Sequence, residues 1–289
     1  MNHLIRYKTM PEWTAGTVPE GFKNKHNTKP GTWGKITIRA GALKYYSLDA
    51  AGNVLDTSVF DRDSETPFIE PQAWHKIEAL SDDLQCQLAF YCRSEDYYQK
   101  KYQLSDVHSE VKEVMRYIQS GKAMDLGCGR GRNALFLQQR GFDVSAFDNN
   151  QEAILTLQGI ITQENLNHIQ AHTGDANAAE LSGQYDLIVS TVVMMFLQAD
   201  RIPYIIENMQ TCTRPGGYNV IVCAMDSPDY PLPEEASMFS FTMKTGQLSG
   251  YYKDWDIKKY NEDVGHLHRR DAAGNRIALR FATLIAQKR

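Results

Sequence analysis

Short apolar runs alternate with amphipathic segments through the last two-thirds of the chain. Beyond Lys122, the runs AMDLG, DVSAFD and YDLIVST are each followed by a segment with apolar residues at helical spacing, and YNVIVCAM closes the series. Strand-like runs that alternate with helical segments are typical of βαβ units, whose strands form a mostly parallel sheet covered by helices on both faces. The pattern predicts a doubly wound, Rossmann-like α/β domain over residues 93–289.

The first third of the chain has a different pattern. The segments WGKITIR, ALKYYSL, NVLDTSVF and LQCQLAFYC are rich in β-branched and aromatic residues and are separated by turn residues. They predict a small all-β domain over residues 1–92, either a cupin-like barrel or a sandwich. Residues 94–119 predict a helical linker followed by a helix capped by Ser105, with Val107 and Val111 on its apolar face.

Composition narrows the function classes. The chain has 289 residues and a formal net charge of -4, which argues against a dedicated nucleic-acid binder and favours a small partner. No run approaches the roughly 18 apolar residues that a membrane span needs, and the first residues lack the apolar core of a signal peptide, so we expect a cytoplasmic protein. Its five cysteines include no C-x-x-C pair and are expected to be reduced. A homodimer is compatible with the sequence.

A glycine-rich loop, Asp125-Leu126-Gly127-Cys128-Gly129-Arg130-Gly131, follows the first apolar run of the α/β domain. Glycines let a backbone turn sharply and approach a ligand closely, near the positive end of the next helix. The alternative is an ordinary tight turn. The position of the loop between a predicted strand and a predicted helix favours a ligand site.

Dinucleotides and S-adenosylmethionine compete for a loop of this kind. The dinucleotide fingerprint requires Gly or Ala at position 132, where this chain has the bulky Arg132. In addition, the carboxylate of Asp125 would repel a pyrophosphate, whereas it can accept hydrogen bonds from an ammonium group. The sequence therefore favours S-adenosylmethionine.

Polar residues also end the following strands, where ligands of open α/β sheets bind. Asp148 is placed to bind ribose hydroxyls, Asp175-Ala176 to bind the adenine amino group, and Ser190-Thr191 lie below the expected sulfonium. Each of them alone could equally be a helix cap or a turn. The predicted cofactor-binding residues are Asp125, Gly127, Gly129, Arg130, Asn133, Asp148, Asn149, Asp175, Ala176 and Thr191.

Four segments resemble the tellurite-resistance methyltransferases of the TehB type: DLGCGRGRN, STVVMMFL, NMQTCTRPGGYNVIVCAM and NEDVGHLHRRD…GNRI. The resemblance covers residues 95–289, and longer members of that family also carry a β-rich N-terminal domain. It implies methylation of chalcogen oxyanions, tellurite and selenite, with S-adenosylmethionine as the methyl donor, which would contribute to tellurite detoxification. The chain departs from the usual ending at His266, where an acidic Glu is common.

The substrate end of the site is expected in residues 261–277. Between His266 and Arg289, six Lys or Arg residues stand against one acid, a balance of +5 that would attract a small anion. His268, Arg269 and Arg276 flank a predicted loop at 271–275 that could close as a lid. We expect the two arginines to hold the oxyanion and His268 to act as general base, and the resemblance implies the same three positions. The alternative is a structural loop, with the terminal cations forming a solvated face.

Two other functions fit the same cofactor site. One is methylation of a thiol or another small organic molecule, and the other is a non-catalytic sensor that binds the cofactor and transfers nothing. In the β-rich domain, His26 and His75 could bind a metal with Glu70 or Glu78, or could simply hydrogen-bond beside a turn. Because the set of metal ligands found in cupins is incomplete in this sequence, no metal is predicted. We expect an accessory or dimerising domain that is dispensable for the chemistry.

Overall fold

A computed structural model describes residues 4–289, apart from the side chain of His268. It contains two compact units, of which the first ends at Leu104 and the second comprises Ser105–Arg289. The sequence predicts a first domain of residues 1–92, with the boundary expected near residues 92–105. Residues 97–102 form a helix that belongs to the first unit, where Lys100 Nζ donates to Thr32 Oγ1 at 3.1 Å.

The first unit consists of two three-stranded antiparallel sheets, with strand orders β1-β6-β2 and β4-β3-β5. Apolar side chains from both sheets meet in one buried cluster, to which β2 contributes Ile36 and β3 contributes Leu43. The predicted all-β domain is confirmed, although the sequence analysis missed β1 and β5. The elements are β1 Leu4–Thr14, α1 Glu20–Lys23, β2 Trp33–Ala40, β3 Ala42–Leu48, β4 Val54–Asp61, β5 His75–Ala79, β6 Gln85–Arg93 and α2 Tyr97–Tyr102.

The second unit is built on one mixed sheet of eight strands, in which β12-β14-β11-β10-β7-β8-β9 are neighbours in that order and β13 pairs with β14. Its strands are β7 Gly121–Leu126, β8 Phe142–Asp148, β9 Ile169–Thr173, β10 Tyr185–Thr191, β11 Thr213–Ala224, β12 Asp256–Asn261, β13 Val264–Arg270 and β14 Arg276–Gln287. Its helices are α3 Ser109–Val114, α4 Arg132–Gln139, α5 Gln151–Gln163, α6 Ile202–Thr211 and α7 Gln247–Tyr251.

Strands β11, β10, β7, β8 and β9 run parallel to one another, and β14 adds to β11 in the antiparallel sense. The central strands are buried along nearly their whole length, because helices cover a parallel sheet on both faces. This explains why their sequences are continuous apolar runs. The predicted Rossmann-like fold is confirmed, and the carboxyl ends of the parallel strands share one edge, where the predicted ligand residues lie.

One local prediction was wrong, whereas the predicted loop at 271–275 is present. The helix expected from Ser105 begins at Ser109 and ends at Val114, and its N-cap is His108, whose Nδ1 accepts from Glu110 N at 3.2 Å. The loop at 271–275 is the tight turn of a hairpin between β13 and β14, closed by Asp271 N donating to Asn275 O at 2.9 Å. Over the described residues, no helix has the length and apolar character needed to cross a membrane.

Candidate functional site

The glycine loop after β7 has the backbone conformation that its glycines permit. Gly127, Gly129 and Gly131 have φ of 74°, 53° and 89°. A Cβ on Gly127 would lie 2.4 Å from Val193 Cγ2, and a Cβ on Gly131 would lie 2.5 Å from Leu157 Cδ1. Both positions therefore require glycine for two reasons, conformation and space.

Asp148, at the end of β8, holds this loop in place. Its Oδ2 accepts a hydrogen bond from Gly129 N at 2.8 Å, and its Oδ1 accepts from Asn150 N at 2.9 Å. The backbone also joins the two strand ends, since Gly127 N donates to Phe147 O at 2.9 Å. The carboxylate that the sequence assigned to ribose thus also fixes the shape of the loop.

Asp125 is 1% exposed, and its Oδ2 is a buried atom with no hydrogen-bond partner among the described residues. Burial raises the pKa of this carboxyl to about 7, with a further upward contribution from the charge of Asp148, while Arg132 opposes the shift. An unpartnered buried carboxylate oxygen is costly on its own. The Oδ2 atom of Asp125 is suited to accept a hydrogen bond from a cationic group of a ligand.

Asn133 connects the glycine-loop helix to two neighbouring segments. Its Nδ2 donates to Thr191 Oγ1 at 3.0 Å, and its Oδ1 accepts from His108 N at 3.1 Å. Both Asn133 and Thr191 are buried. Both residues are among the cofactor-binding residues predicted from the sequence, and the structure joins them directly.

The remaining predicted cofactor residues lie along the same sheet edge. Asp175 caps a short turn, since its Oδ1 accepts from Asn177 N at 2.9 Å, and Arg130 is exposed. A cleft of about 230 Å³ brings together Gly127, Asp148, Asn149 and Ala176.

A second cavity, of about 530 Å³, opens beside this cleft, and Val192 lines both. Val192 has φ of 62°, in the left-handed region that β-branched residues rarely adopt. Strained backbone of this kind is concentrated at functional sites, where the surrounding structure enforces it. The chain therefore changes direction after β10 at the point where the cleft and the second cavity meet.

The second cavity is lined by charged residues from distant parts of the sequence. Lys259 Nζ donates to both carboxylate oxygens of Glu110, at 2.9 and 2.8 Å. Arg132 Nη1 donates to Asp106 O at 3.2 Å, and burial lowers the pKa of this guanidinium, although it stays cationic at neutral pH. These groups were not among the site residues predicted from the sequence. Arg132 was visible in the glycine motif, whereas no local pattern connects Glu110 with Lys259.

The β13–β14 hairpin supplies another wall, to which His266 and Arg276 contribute. Arg276 donates from Nε to Leu267 O and from Nη2 to His266 O, both at 2.9 Å. Arg269 is not among the residues that line this cavity, and its Nη1 contacts Met238 Sδ at 3.9 Å. The side chain of His268 lies outside the described residues.

Comparison with known proteins identifies the family. Residues 90–285 match the family described as tellurite resistance protein TehB, and residues 8–88 match the TehB-like domain. The chain is 49% identical over 288 residues to the "Probable S-adenosyl-L-methionine-dependent methyltransferase TehB" of Haemophilus influenzae strain 10810, covering 100% of this chain and 99% of that protein. The chain belongs to the TehB family.

Two further comparisons find similar proteins. The crystal structure of TehB from Haemophilus influenzae superposes with a TM-score of 0.91 at 49% identity, covering 100% of this chain and 99% of the other. A protein of Eikenella corrodens named "Hemagglutinin 1" is 44% identical over 249 residues, which are 86% of this chain and 82% of that protein. The predicted family, enzyme class and cofactor, S-adenosylmethionine, are thereby confirmed.

The residues of this TehB-family chain fit that cofactor. S-adenosylmethionine carries an ammonium group, and the unpartnered buried oxygen of Asp125 is an acceptor suited to it. Gly129 has no heavy atom within 4 Å of the position that a Cβ would take, so the loop is open on that side. The individual contacts stay predictions.

Proposed function

We propose that this S-adenosylmethionine-dependent methyltransferase methylates a small chalcogen oxyanion, tellurite or selenite, in the cavity that meets the cofactor cleft at Val192. The observation that carries the proposal is the lining of this cavity, where Arg132, Arg276 and Lys259 stand beside the cleft. Guanidinium groups bind oxyanions through charge-assisted, often bidentate, hydrogen bonds. The family description, which names tellurite resistance, supports the same substrate class.

In this proposal the cofactor is held by the strand ends. Asp125 accepts from its ammonium group, Asp148 binds the ribose hydroxyls, and Asp175 with Ala176 binds the adenine. Bound there, the cofactor supplies a methyl group on a cationic sulfur that a nucleophile can displace directly. The chain then needs chiefly to orient the nucleophile and to exclude water.

The substrate residues of the proposal lie on the hairpin and on α4. Arg276 and Arg132 hold the oxygens so that the lone pair of tellurium or selenium faces the cleft. His268 removes the proton of a hydrogen-tellurite or hydrogen-selenite ion, and His266, which lines the cavity, is a second group that could accept it. Arg269, predicted from the sequence to bind the oxyanion, has a secondary role here because it lies outside the cavity lining.

Transfer of a radiolabelled methyl group tests the proposal. The purified chain is incubated with labelled S-adenosylmethionine and, in parallel, with tellurite, selenite and a panel of small thiols. We expect turnover with the oxyanions, and a host that expresses the chain in its cytoplasm should survive higher tellurite concentrations. Turnover with thiols alone would assign the cavity to another substrate. Binding of S-adenosylhomocysteine without any turnover would indicate a sensor.

A further inference from the structure

The first unit contains a cavity of about 940 Å³, and all of the residues that line it belong to that unit. Its wall is mixed: Trp13, Phe22 and Phe90 line it together with polar residues that include four lysines, Lys8, Lys29, Lys100 and Lys101. His26 and His75 also line it, and their ring centroids are 4.1 Å apart. Two imidazoles therefore line the same cavity.

The backbone fixes this histidine pair. His26 N donates to His75 O at 3.0 Å, and His75 N donates to His26 O at 2.8 Å, so that the two residues form a two-way bridge. His75 is also the first residue of β5 and is 3% exposed, and Tyr45 stacks on its ring at 5.4 Å. Neither imidazole depends on a mobile loop for its position.

Hydrogen bonds to backbone carbonyls define the tautomer of each ring. Nδ1 of His26 lies 2.9 Å from Asn24 O, and Nδ1 of His75 lies 2.8 Å from Ala73 O. A carbonyl oxygen only accepts, so each Nδ1 carries the proton, and in a neutral ring Nε2 keeps its lone pair. Burial lowers the pKa of both rings, that of His75 to about 4, and this is consistent with neutral imidazoles.

The Nε2 lone pair of His26 lacks an internal partner. Nε2 of His26 is buried and has no hydrogen-bond partner within residues 4–289. A buried acceptor without a partner is destabilising, because it has lost its hydrogen bond to water. A neutral imidazole oriented by an Nδ1–H···O=C hydrogen bond, with an unpartnered Nε2, is the arrangement that metal-binding histidines use.

We propose that Nε2 of His26 and Nε2 of His75 bind one divalent transition-metal ion, with its other coordination positions open to the cavity. Imidazole nitrogens suit ions such as Zn²⁺ and Cu²⁺. No group of three His, Cys, Asp or Glu side chains that could hold a metal occurs among the described residues, so water or a small ligand completes the shell. Glu70 is engaged elsewhere, because its Oε2 accepts from Trp33 Nε1 at 2.7 Å.

The test uses the metal-free, full-length chain. Titration with Zn²⁺ followed by calorimetry is expected to give one site per chain, and Cu²⁺ bound at the same site is expected to show two nitrogen ligands by electron paramagnetic resonance. His26→Gln should weaken binding at least about tenfold, because a second imidazole contributes much of the affinity. His168→Gln, which changes an exposed histidine of the second unit, should leave the affinity unchanged.

A second measurement separates metal binding from folding. Circular dichroism checks that His26→Gln keeps its strands, and thermal unfolding is followed with and without Zn²⁺. The ion should raise the Tm of the natural chain and of His168→Gln, but not of folded His26→Gln, because only binding to the folded state stabilises it. An unchanged affinity in His26→Gln, a copper spectrum without nitrogen ligands, or a natural chain that binds no ion would each overturn the proposal.

Discussion

Asn133 donates a hydrogen bond from Nδ2 to Thr191 Oγ1 across 3.0 Å, and so joins the helix after the glycine loop to the end of the central strand β10. The same side chain accepts from His108 N at 3.1 Å, on the segment that lines the proposed substrate cavity. One amide group thus holds together the cofactor loop, the central strand and the cavity wall.

Asn133→Ala is expected to weaken S-adenosylhomocysteine binding and to lower the free energy of unfolding. The substitution leaves the His108 amide and the Thr191 hydroxyl without their partner, at a cost of about 1–3 kcal/mol. Calorimetry and urea unfolding measure the two effects. Thr191→Ser keeps the hydroxyl and serves as the control; equal losses in both variants would show that packing, and not the hydrogen bond, matters.

Asp125→Asn is expected to stabilise the cofactor-free protein while weakening cofactor binding. The pKa of Asp125 is about 7 in the folded state, compared with an ordinary value of 3.8 for an aspartate side chain. The folded state therefore favours the protonated form. Ionisation therefore costs stability progressively as pH rises from about 4 to about 7. At pH 8 the variant should be more stable by on the order of 1–4 kcal/mol, and near pH 4 the difference should vanish.

The same carboxyl gives cofactor binding a pH dependence. An ammonium group prefers the ionised carboxylate, so the affinity for S-adenosylhomocysteine should fall as pH drops below about 7. Calorimetric titrations at pH 6 and pH 8 measure this change. Asp125→Asn should bind weakly and equally at both values; a natural chain with no pH dependence would remove Asp125 from the ammonium site.

Gly127→Ala should abolish cofactor binding or folding, since its Cβ would lie 2.4 Å from Val193 Cγ2 at a φ of 74°. Gly141→Ala is the matched control: its φ is 92°, and nothing lies within 4 Å of the new Cβ. The control should lose only the conformational contribution, about 1 kcal/mol. Thermal unfolding and cofactor titration distinguish the two. Similar behaviour of both variants would mean that Val193 moves aside freely.

Arg276→Ala should raise KM for tellurite about tenfold or more, the loss expected for one charge-assisted hydrogen bond, and should change cofactor affinity little. Arg269→Ala should have a much smaller effect, because this residue is not among those lining the cavity. Steady-state kinetics on both variants measure the difference. A larger effect at Arg269 would restore the role that the sequence assigned to it.

Glu110→Gln should lower KM for tellurite, because it removes the anionic partner that Lys259 holds at 2.8 Å. Breaking this half-buried pair should also cost stability, on the order of 1–3 kcal/mol. Glu113→Gln on the same helix is the control, since Glu113 pairs with Arg116 away from the cavity lining. An unchanged or higher KM in Glu110→Gln would place the oxyanion away from Lys259.

The sequence was informative where one local pattern determines one structure. The apolar run AMDLG predicted β7, and the glycines after it predicted the loop, because both signals lie within a few residues. The strand Leu4–Thr14 was missed because its inner and outer positions do not alternate cleanly: two register shifts interrupt its pairing with β6. The Glu110–Lys259 pair joins α3 to β12 across the fold, and such a contact has no local signature.

Strand β14 pairs with different strands along its length. Its first residues pair with β13, as His266 pairs with Ala278, whereas Phe281 and the residues after it pair with β11 and β12 in the middle of the sheet. The cavity wall is therefore fixed at its inner end, where movement would break the pairing of β14 with β11 and β12. We therefore expect that opening of this hairpin does not limit the rate of turnover. Hydrogen exchange of its backbone amides should become steadily slower from the tip of the hairpin toward the sheet.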